Sequence, residues 1–411
     1  MTNPGDIRIK DYDYDLPPGR IAQFPLEQRD RSRLLVLRDG HITEGIVADL
    51  DRYLPGDSLL VFNDTRVIRA RLFFRKPTGG HIEIFCLEPM SPSSEIQEAM
   101  CQTSGSTWKC LVGHAKRWRS GKLILESGQP DIRQRLTAER IRDCGDGSSE
   151  IEFRWEPPEC TFAEILETAG LIPLPPYITR QATPVDYDHY QTVYARPEGS
   201  VAAPTAGLHF TAQLLEKIAS GGILTAHVTL HVGLGTFKPV TAPQIRDHVM
   251  HHEKISVTRE TIETLAGHPD RPVIAIGTTS ARTLESLYWL GVRIIREGSR
   301  FEPSISQWEP YYPGAGAGID TGRSLSALLD YLHRRRLEAL SGETRLMIVP
   351  GYRFRILSGL MTNFHLPQST LLLLVAALTG KGWREAYNYA LQHGFRFLSY
   401  GDSCLFFNPH A

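Results

Sequence analysis

Long apolar runs, paired cysteines, a surplus of one charge and metal-ligand spacings are all scarce in this sequence, and each shortage removes a class of protein. The longest apolar run, Leu371–Leu378, is far shorter than the roughly 20 residues a membrane-spanning helix needs, so no membrane anchor is expected. The segment Met1–Asp15 is polar and acidic where a secretory leader has a basic start and an apolar centre, which predicts a cytoplasmic protein. Six cysteines without a C-x-x-C pair, in a chain of 411 residues, read as reduced thiols and not as a disulfide framework. With 45 basic and 46 acidic residues the formal net charge is -1, which excludes a uniformly basic nucleic-acid coat and leaves only local positive patches. Histidines are clustered, His227 with His231 and His248, His251 and His252 beside Glu253. Neither H-E-x-x-H nor an H-x-E joined to P-C-x-x-C occurs, so no catalytic metal is expected.

The chain exceeds what one hydrophobic core usually organises, and its 41% hydrophobic content suits a folded protein, so two domains are expected. Leu34–Leu37 and Ser58–Phe62 read as short strands. From Arg66 to Trp155, alternating runs such as Ile82–Cys86, Trp108–Val112 and Ile151–Trp155 lie between glycine-rich turns, the texture of a small β-barrel or sandwich. After Pro157 the texture becomes α/β. Helices are predicted at Phe162–Glu167, Leu214–Ala219, Ala281–Leu290 and Ser369–Leu378, and strands at Thr225–His231, Val273–Ile276 and Leu346–Val349. Glu297–Gly342 reads as a loop followed by a basic surface helix. The predicted fold class is α/β: a larger layered domain, 1–65 and 157–411, with a small β-barrel, 66–156, inserted in it.

Three segments combine small residues with polar ones. Ile274–Ser286 is a buried strand running through Gly277, Thr278, Thr279 and Ser280 into a helix that carries Arg282. Free N–H groups at that helix start would suit a carboxylate, ribose or phosphate, while plain N-capping by Ser280 or Thr279 is the commoner use of such residues. Ser200–Thr211 places His209 in a turn before a helix, and His231–Phe237 contains Gly233 and Gly235, which lack the further glycine and lysine of phosphate-binding loops. Leu360–Thr370 puts Asn363 and His365 at a strand exit, where α/β proteins commonly bind ligands. Two basic runs, Arg66, Arg69, Arg71, Arg75 and Lys76, and Lys116, Arg117, Arg119 and Lys122 around Trp118, suit RNA phosphates and a stacked base. Solvated strand faces explain the same residues equally well.

In this order the segments resemble the S-adenosylmethionine:tRNA ribosyltransferase-isomerase family of queuosine biosynthesis. The stretches that carry the resemblance are Tyr14–Pro17 with Ile21–Gln23, Arg29–Leu37, Phe62–Val67, Pro173–Ile178, Tyr190–Ala195, Gly199–Thr211, Thr229–Phe237, Gly277–Ser280 with Arg282–Ser286, Thr362–Pro367 and Phe397–Asp402. Such a family member would consume S-adenosylmethionine as a co-substrate and need no cofactor. Its ribosyl part would go to 7-aminomethyl-7-deazaguanine at the tRNA wobble position, leaving epoxyqueuosine-tRNA, adenine and methionine. By the same resemblance His209, His365 and Arg282 are catalytic candidates. Thr278, Thr279, Ser280, Gly233, Gly235 and Asn363 are substrate-binding candidates, and Asp64, Arg66, Arg69, Arg71, Lys116, Arg117 and Trp118 are tRNA-binding candidates. A monomer is expected. Arg69 in place of a proline, Ala281 in place of a valine and a long 297–342 segment depart from the family pattern. The competing readings are a binding paralogue without this reaction and a metal-dependent hydrolase built on the histidines.

Overall fold

Two strand systems share one chain in the computed structural model, which describes residues 6–76, 79–118, 120–126, 135–233, 240 and 242–409. The strands in chain order are β1 (Arg33–Arg38), β2 (His41–Ile46), β3 (Leu59–Asn63), β4 (Arg66–Val67), β5 (Arg71–Arg75), β6 (His81–Ser91), β7 (Gly105–Val112), β8 (Leu123–Glu126) and β9 (Arg135–Asp143). They continue with β10 (Ser149–Glu156), β11 (Glu198–Ser200), β12 (Leu224–Leu230), β13 (Glu253–Thr258), β14 (Val273–Ile276), β15 (Ser304–Ile305), β16 (Ala339–Thr344), β17 (Gly359–Asn363) and β18 (Ser403–Phe407). The helices are α1 (Ile96–Met100), α2 (Phe162–Ala169), α3 (Pro184–His189), α4 (Ala212–Ser220), α5 (Arg259–Gly267), α6 (Thr278–Glu297), α7 (Thr321–Arg335), α8 (Thr370–Thr379) and α9 (Gly382–Gln392).

One ten-stranded sheet has the order β15-β16-β13-β12-β3-β14-β17-β18-β1-β2. Its period-two pattern buries both faces. Leu34 and Val36 of β1, Leu60 and Phe62 of β3 and Ile274 and Ile276 of β14 meet Leu214 and Ile218 of α4 on one side. The alternate residues Leu35, Leu37, Leu59, Val61 and Ala275 meet Leu284 and Leu287 of α6 and Leu372 and Val375 of α8 on the other. Helix–sheet–helix layering follows from that alternation. Side-chain oxygens cap several helix starts: the Thr211 hydroxyl accepts from Leu214 N–H, the Asp320 carboxylate from Arg323 N–H and the Ser369 hydroxyl from Leu372 N–H.

Strands β5 to β10 close into a barrel in the order β10-β7-β6-β5-β8-β9, filled by side chains such as Phe74, Trp108, Trp118 and Phe153. The barrel leaves the large sheet after β3 and the chain returns to it at β12, yet β3 and β12 are parallel neighbours pairing Leu59 with Leu224. The barrel therefore interrupts two strands that are adjacent in space. Between them β4 pairs with β11 in a separate short ladder.

Leu346–Val349 is not a strand. Its N–H groups find other acceptors: Leu346 donates to Thr344 Oγ1, Met347 to Gln307 O and Val349 to the Tyr311 hydroxyl. The side chains are buried all the same, so the apolar run reflects core position without a ladder. Within Glu297–Gly342 the expected loop before α7 contains the short edge strand β15, which pairs with β16 after the helix.

Candidate active site

Strands β12, β3, β14 and β17 run parallel and end at one edge of the large sheet, where α/β proteins form ligand crevices. A cavity opens there. Its walls include Ala202–Ala206, the Gly277–Thr279 start of α6, Thr362–Leu366 at the end of β17 and just past it, Ser369 and Leu371 at the start of α8, and Leu398 with Ser399; Tyr177 adds an aromatic side. Gly277 sits at φ 93°, ψ 153°, a conformation that only glycine adopts without strain, and it turns the chain from β14 into α6. No side chain caps α6, and among the described residues no acceptor meets the N–H groups of Thr278, Thr279 or Ser280. The helix start is thus left open to the cavity. Leu398, buried in the wall, is held at φ 69°, a strained conformation for a side chain of this size.

The two histidines differ. His209 is buried behind the wall, its Nδ1 2.8 Å from Ser32 Oγ and its Nε2 3.0 Å from Asn363 Nδ2. Ser32 Oγ already donates to Arg29 O, and Asn363 Oδ1 accepts from Thr205 Oγ1 at 2.7 Å. These bonds assign the proton to Nδ1 and leave Nε2 as acceptor from the Asn363 amide. Burial, with the nearby Arg396 charge, lowers the His209 pKa to about 4. His209 therefore holds Asn363, and Asn363 lines the cavity. His365 does line it; its Nε2 is 3.0 Å from Thr362 Oγ1, and its peptide N–H donates to Tyr387 while its carbonyl accepts from Tyr14. Nδ1 of His365 has no partner among the described residues, and burial lowers this pKa to about 3.

The other expected residues are dispersed. Thr278, Thr279 and Asn363 line the cavity, and Thr279 Oγ1 accepts from Asn63 Nδ2 at 3.1 Å. Ser280 is turned back, its hydroxyl donating to Ile276 O, so it offers only its N–H. Arg282 lies outside the cavity walls and pairs, buried, with Glu253 on β13, three strands along the sheet from the β14 strand that leads into α6. Gly233 lines a different cleft beside the barrel, with His231 and Lys254, and Gly235 lies outside the described residues.

Among the RNA candidates, Trp118 requires correction: it is 1% exposed in the barrel core, its indole N–H donating to Gly121 O, and no base can reach it. Asp64 is buried and accepts from Thr229 Oγ1 at 2.7 Å, with burial raising its pKa against that hydrogen bond. Arg71 is held by Glu83 at 2.9 Å. Arg66 and Arg69 line a second cleft walled by α2, α3 and the β4–β11 ladder, where they face Glu198 at 3.7 Å and Glu167 at 3.6 Å, respectively; Lys116 and Arg117 are exposed on a turn of the barrel, and Arg119 lies outside the described residues. Among the described residues no three His, Cys, Asp or Glu side chains gather to hold a metal ion.

The model of the queuosine biosynthesis protein family matches residues 9–406. The chain belongs to this family. S-adenosylmethionine:tRNA ribosyltransferase-isomerase of Pelobacter propionicus is 40% identical over 401 residues, 96% of this chain and 98% of that protein. The enzyme of the same name from Geobacter sulfurreducens is 41% identical over 409 residues, 97% and 99% of the two chains. A crystal structure of the S-adenosylmethionine tRNA ribosyltransferase of Thermotoga maritima aligns over 96% of this chain and 99% of its own at 29% identity, with a TM-score of 0.46. For this queuosine-family chain, the cavity also contains polar groups that sequence reasoning did not single out: Tyr177, Thr205, Ser369 and Ser399. Tyr177 and Ser399 fall inside motif stretches and bond to each other at 2.6 Å, a pairing that only the folded chain reveals.

Proposed function

We propose that this chain transfers the ribosyl part of S-adenosylmethionine to 7-aminomethyl-7-deazaguanine at the tRNA wobble position and isomerises it, giving epoxyqueuosine-tRNA, adenine and methionine. The observation that carries the reading is the match of about 40% identity along nearly the whole chain to relatives named for this reaction. S-adenosylmethionine is then a consumed co-substrate. The protein acts as a monomer in the cytoplasm, with 1–65 and 157–411 holding S-adenosylmethionine and the inserted 66–156 unit helping to hold the tRNA, to which Arg66, Arg69, Lys116 and Arg117 offer cations.

In this reading the sulfonium acidifies the ribose 5′ carbon; loss of that proton, departure of adenine, bonding of the aminomethyl nitrogen to the sugar and epoxide closure release methionine. The open N–H groups of α6 suit the methionine carboxylate. Asn363 retains one N–H and one carbonyl lone pair beyond its bonds to His209 and Thr205, enough to orient a ribose hydroxyl or the adenine edge. The rings of Tyr177 and Phe364 give the sulfonium aromatic walls. His365 is the proton carrier, working from its neutral form, because burial and a neighbouring sulfonium both disfavour an imidazolium.

Incubating the protein with S-adenosylmethionine and tRNA carrying 7-aminomethyl-7-deazaguanine is expected to release adenine and raise the mass of the modified base. Adenine release in the absence of the modified tRNA, or a base of unchanged mass, overturns the proposal.

A further inference from the structure

Near the cavity, Phe24 is 58% exposed, and the Arg180 guanidinium lies over one face of its ring, 4.2 Å from the centroid. The guanidinium is fixed from behind. Both of its terminal nitrogens donate to the Asp186 carboxylate at 2.7 Å, and Nε donates to Gln23 O at 2.8 Å. Asp186 has no solvent exposure and is itself held by Thr183 N–H and by the Tyr400 hydroxyl at 2.7 Å. One face of the Phe24 ring is thus backed by an immobile planar cation, and the rest of the side chain is open to solvent.

Gln23 ties this stack to the cavity. Its amide donates to Tyr177 O at 3.0 Å and accepts from Thr179 N–H at 3.0 Å, and Tyr177 forms part of the cavity wall. On α3, the helix that supplies Asp186, Tyr187 carries a second stack, with Arg69 4.5 Å from its ring centroid in the cleft walled by α2, α3 and the β4–β11 ladder. Around the ring, Gln23, Thr179 and Arg180 are polar or charged, and the only apolar residues next to it in the chain, Pro25 and Leu26, are half-buried, so the ring itself is the main exposed apolar area here. A flat ring backed by a guanidinium is the arrangement on which unstacked RNA bases rest.

We propose that Phe24, backed by Arg180, is a stacking platform for an RNA base next to the one that enters the cavity. The inference rests on the tRNA reading above and adds the contact that holds the anticodon loop open. Because Asp186 already neutralises Arg180, the platform contributes stacking without pairing to phosphate, and its loss leaves the salt dependence of RNA binding unchanged.

The test uses the full chain and an anticodon stem-loop with 2-aminopurine beside the wobble position, whose fluorescence falls on stacking. Phe24→Ala and Phe24→Leu are expected to raise the RNA Kd about tenfold to a hundredfold and to abolish the quenching, with Phe24→Trp restoring both. The slope of log Kd against log salt and the thermal shift produced by S-adenosylmethionine should match those of the unaltered chain, which separates the effect from misfolding. A Phe24→Ala Kd within about twofold of the unaltered chain overturns the platform. So does Phe24→Leu binding as the unaltered chain does, or a self-associated form that Phe24→Ala dissociates. Failure of the unaltered chain to bind the stem-loop overturns the tRNA reading itself.

Discussion

Burial keeps the His209 and His365 rings neutral, but their nitrogens are committed differently. His209 has both in hydrogen bonds, whereas His365 has only Nε2 engaged. His209→Ala leaves Ser32 and Asn363 each short of a buried partner, a cost of about 1–3 kcal/mol per unsatisfied group. It is expected to raise the KM for S-adenosylmethionine by loosening Asn363, measurable by initial rates at saturating tRNA. With the His365 pKa lowered to about 3, the pH profile of single-turnover adenine release should show no limb near pH 6.5 that belongs to this side chain. A limb there that disappears in His365→Gln would contradict the neutral form. At this scale, residue type alone made the two histidines look equivalent and made Trp118 look like a base-stacking ring. The bonding of both His209 nitrogens depends on Ser32 and Asn363, distant in the chain, and Trp118 faces the barrel core through packing with strands that only the closed barrel brings together.

The start of α6 shows how an element makes a site. Motif and helical periodicity located the strand–turn–helix passage in the sequence, and capping by Ser280 or Thr279 was the common alternative. In the fold the Ser280 hydroxyl bonds back to Ile276 O and Gly277 occupies the cap position, so the first N–H groups stay open. Gly277→Ala places a side chain at φ 93°, although Ala206 Cβ and Thr279 Oγ1 are no nearer than 3.6 Å. Strain alone should therefore lower stability by about 1–3 kcal/mol, read from denaturant midpoints, and S-adenosylmethionine affinity should fall with it. The barrel was legible as an element system because strands such as β5, β7 and β10 alternate buried and more exposed residues. Leu346–Val349 misled because apolar character marks burial, and burial here comes without a ladder.

Across the whole molecule, long-range polar ties hold distant segments together, and two of them predict how the fold responds to acid. His209 has a folded pKa near 4 against an ordinary value of 6.5, so the unfolded chain binds more protons between those values and stability falls as pH drops through that window. Asp186 is pushed up by burial but pulled down further by Arg180, Thr183 and Tyr400, to about 2, so its contribution is present above its ordinary value of 3.8 and is lost as pH falls toward 2. The Asp186 share is about 2 kcal/mol. Urea midpoints measured from pH 7 to pH 2.5 should decline in both windows, and Asp186→Asn should flatten the lower one. An unchanged lower window in that variant would show that the Arg180 pair does not tie α3 to the fold.

The sequence by itself determined the layered α/β texture, the barrel texture and, through its ordered motifs, the family, because periodicity and motif order are properties of the chain read along its length. Tertiary structure decided which motif residues share a cavity. Thr278, Thr279, Asn363 and His365 converge with Tyr177 and Ser399, while Arg282 turns to Glu253 and Gly233 faces another cleft. The physical reason is that four parallel strands bring their ends to one edge of the sheet, and the direction in which each side chain leaves that edge is set by packing against neighbours far away in the chain.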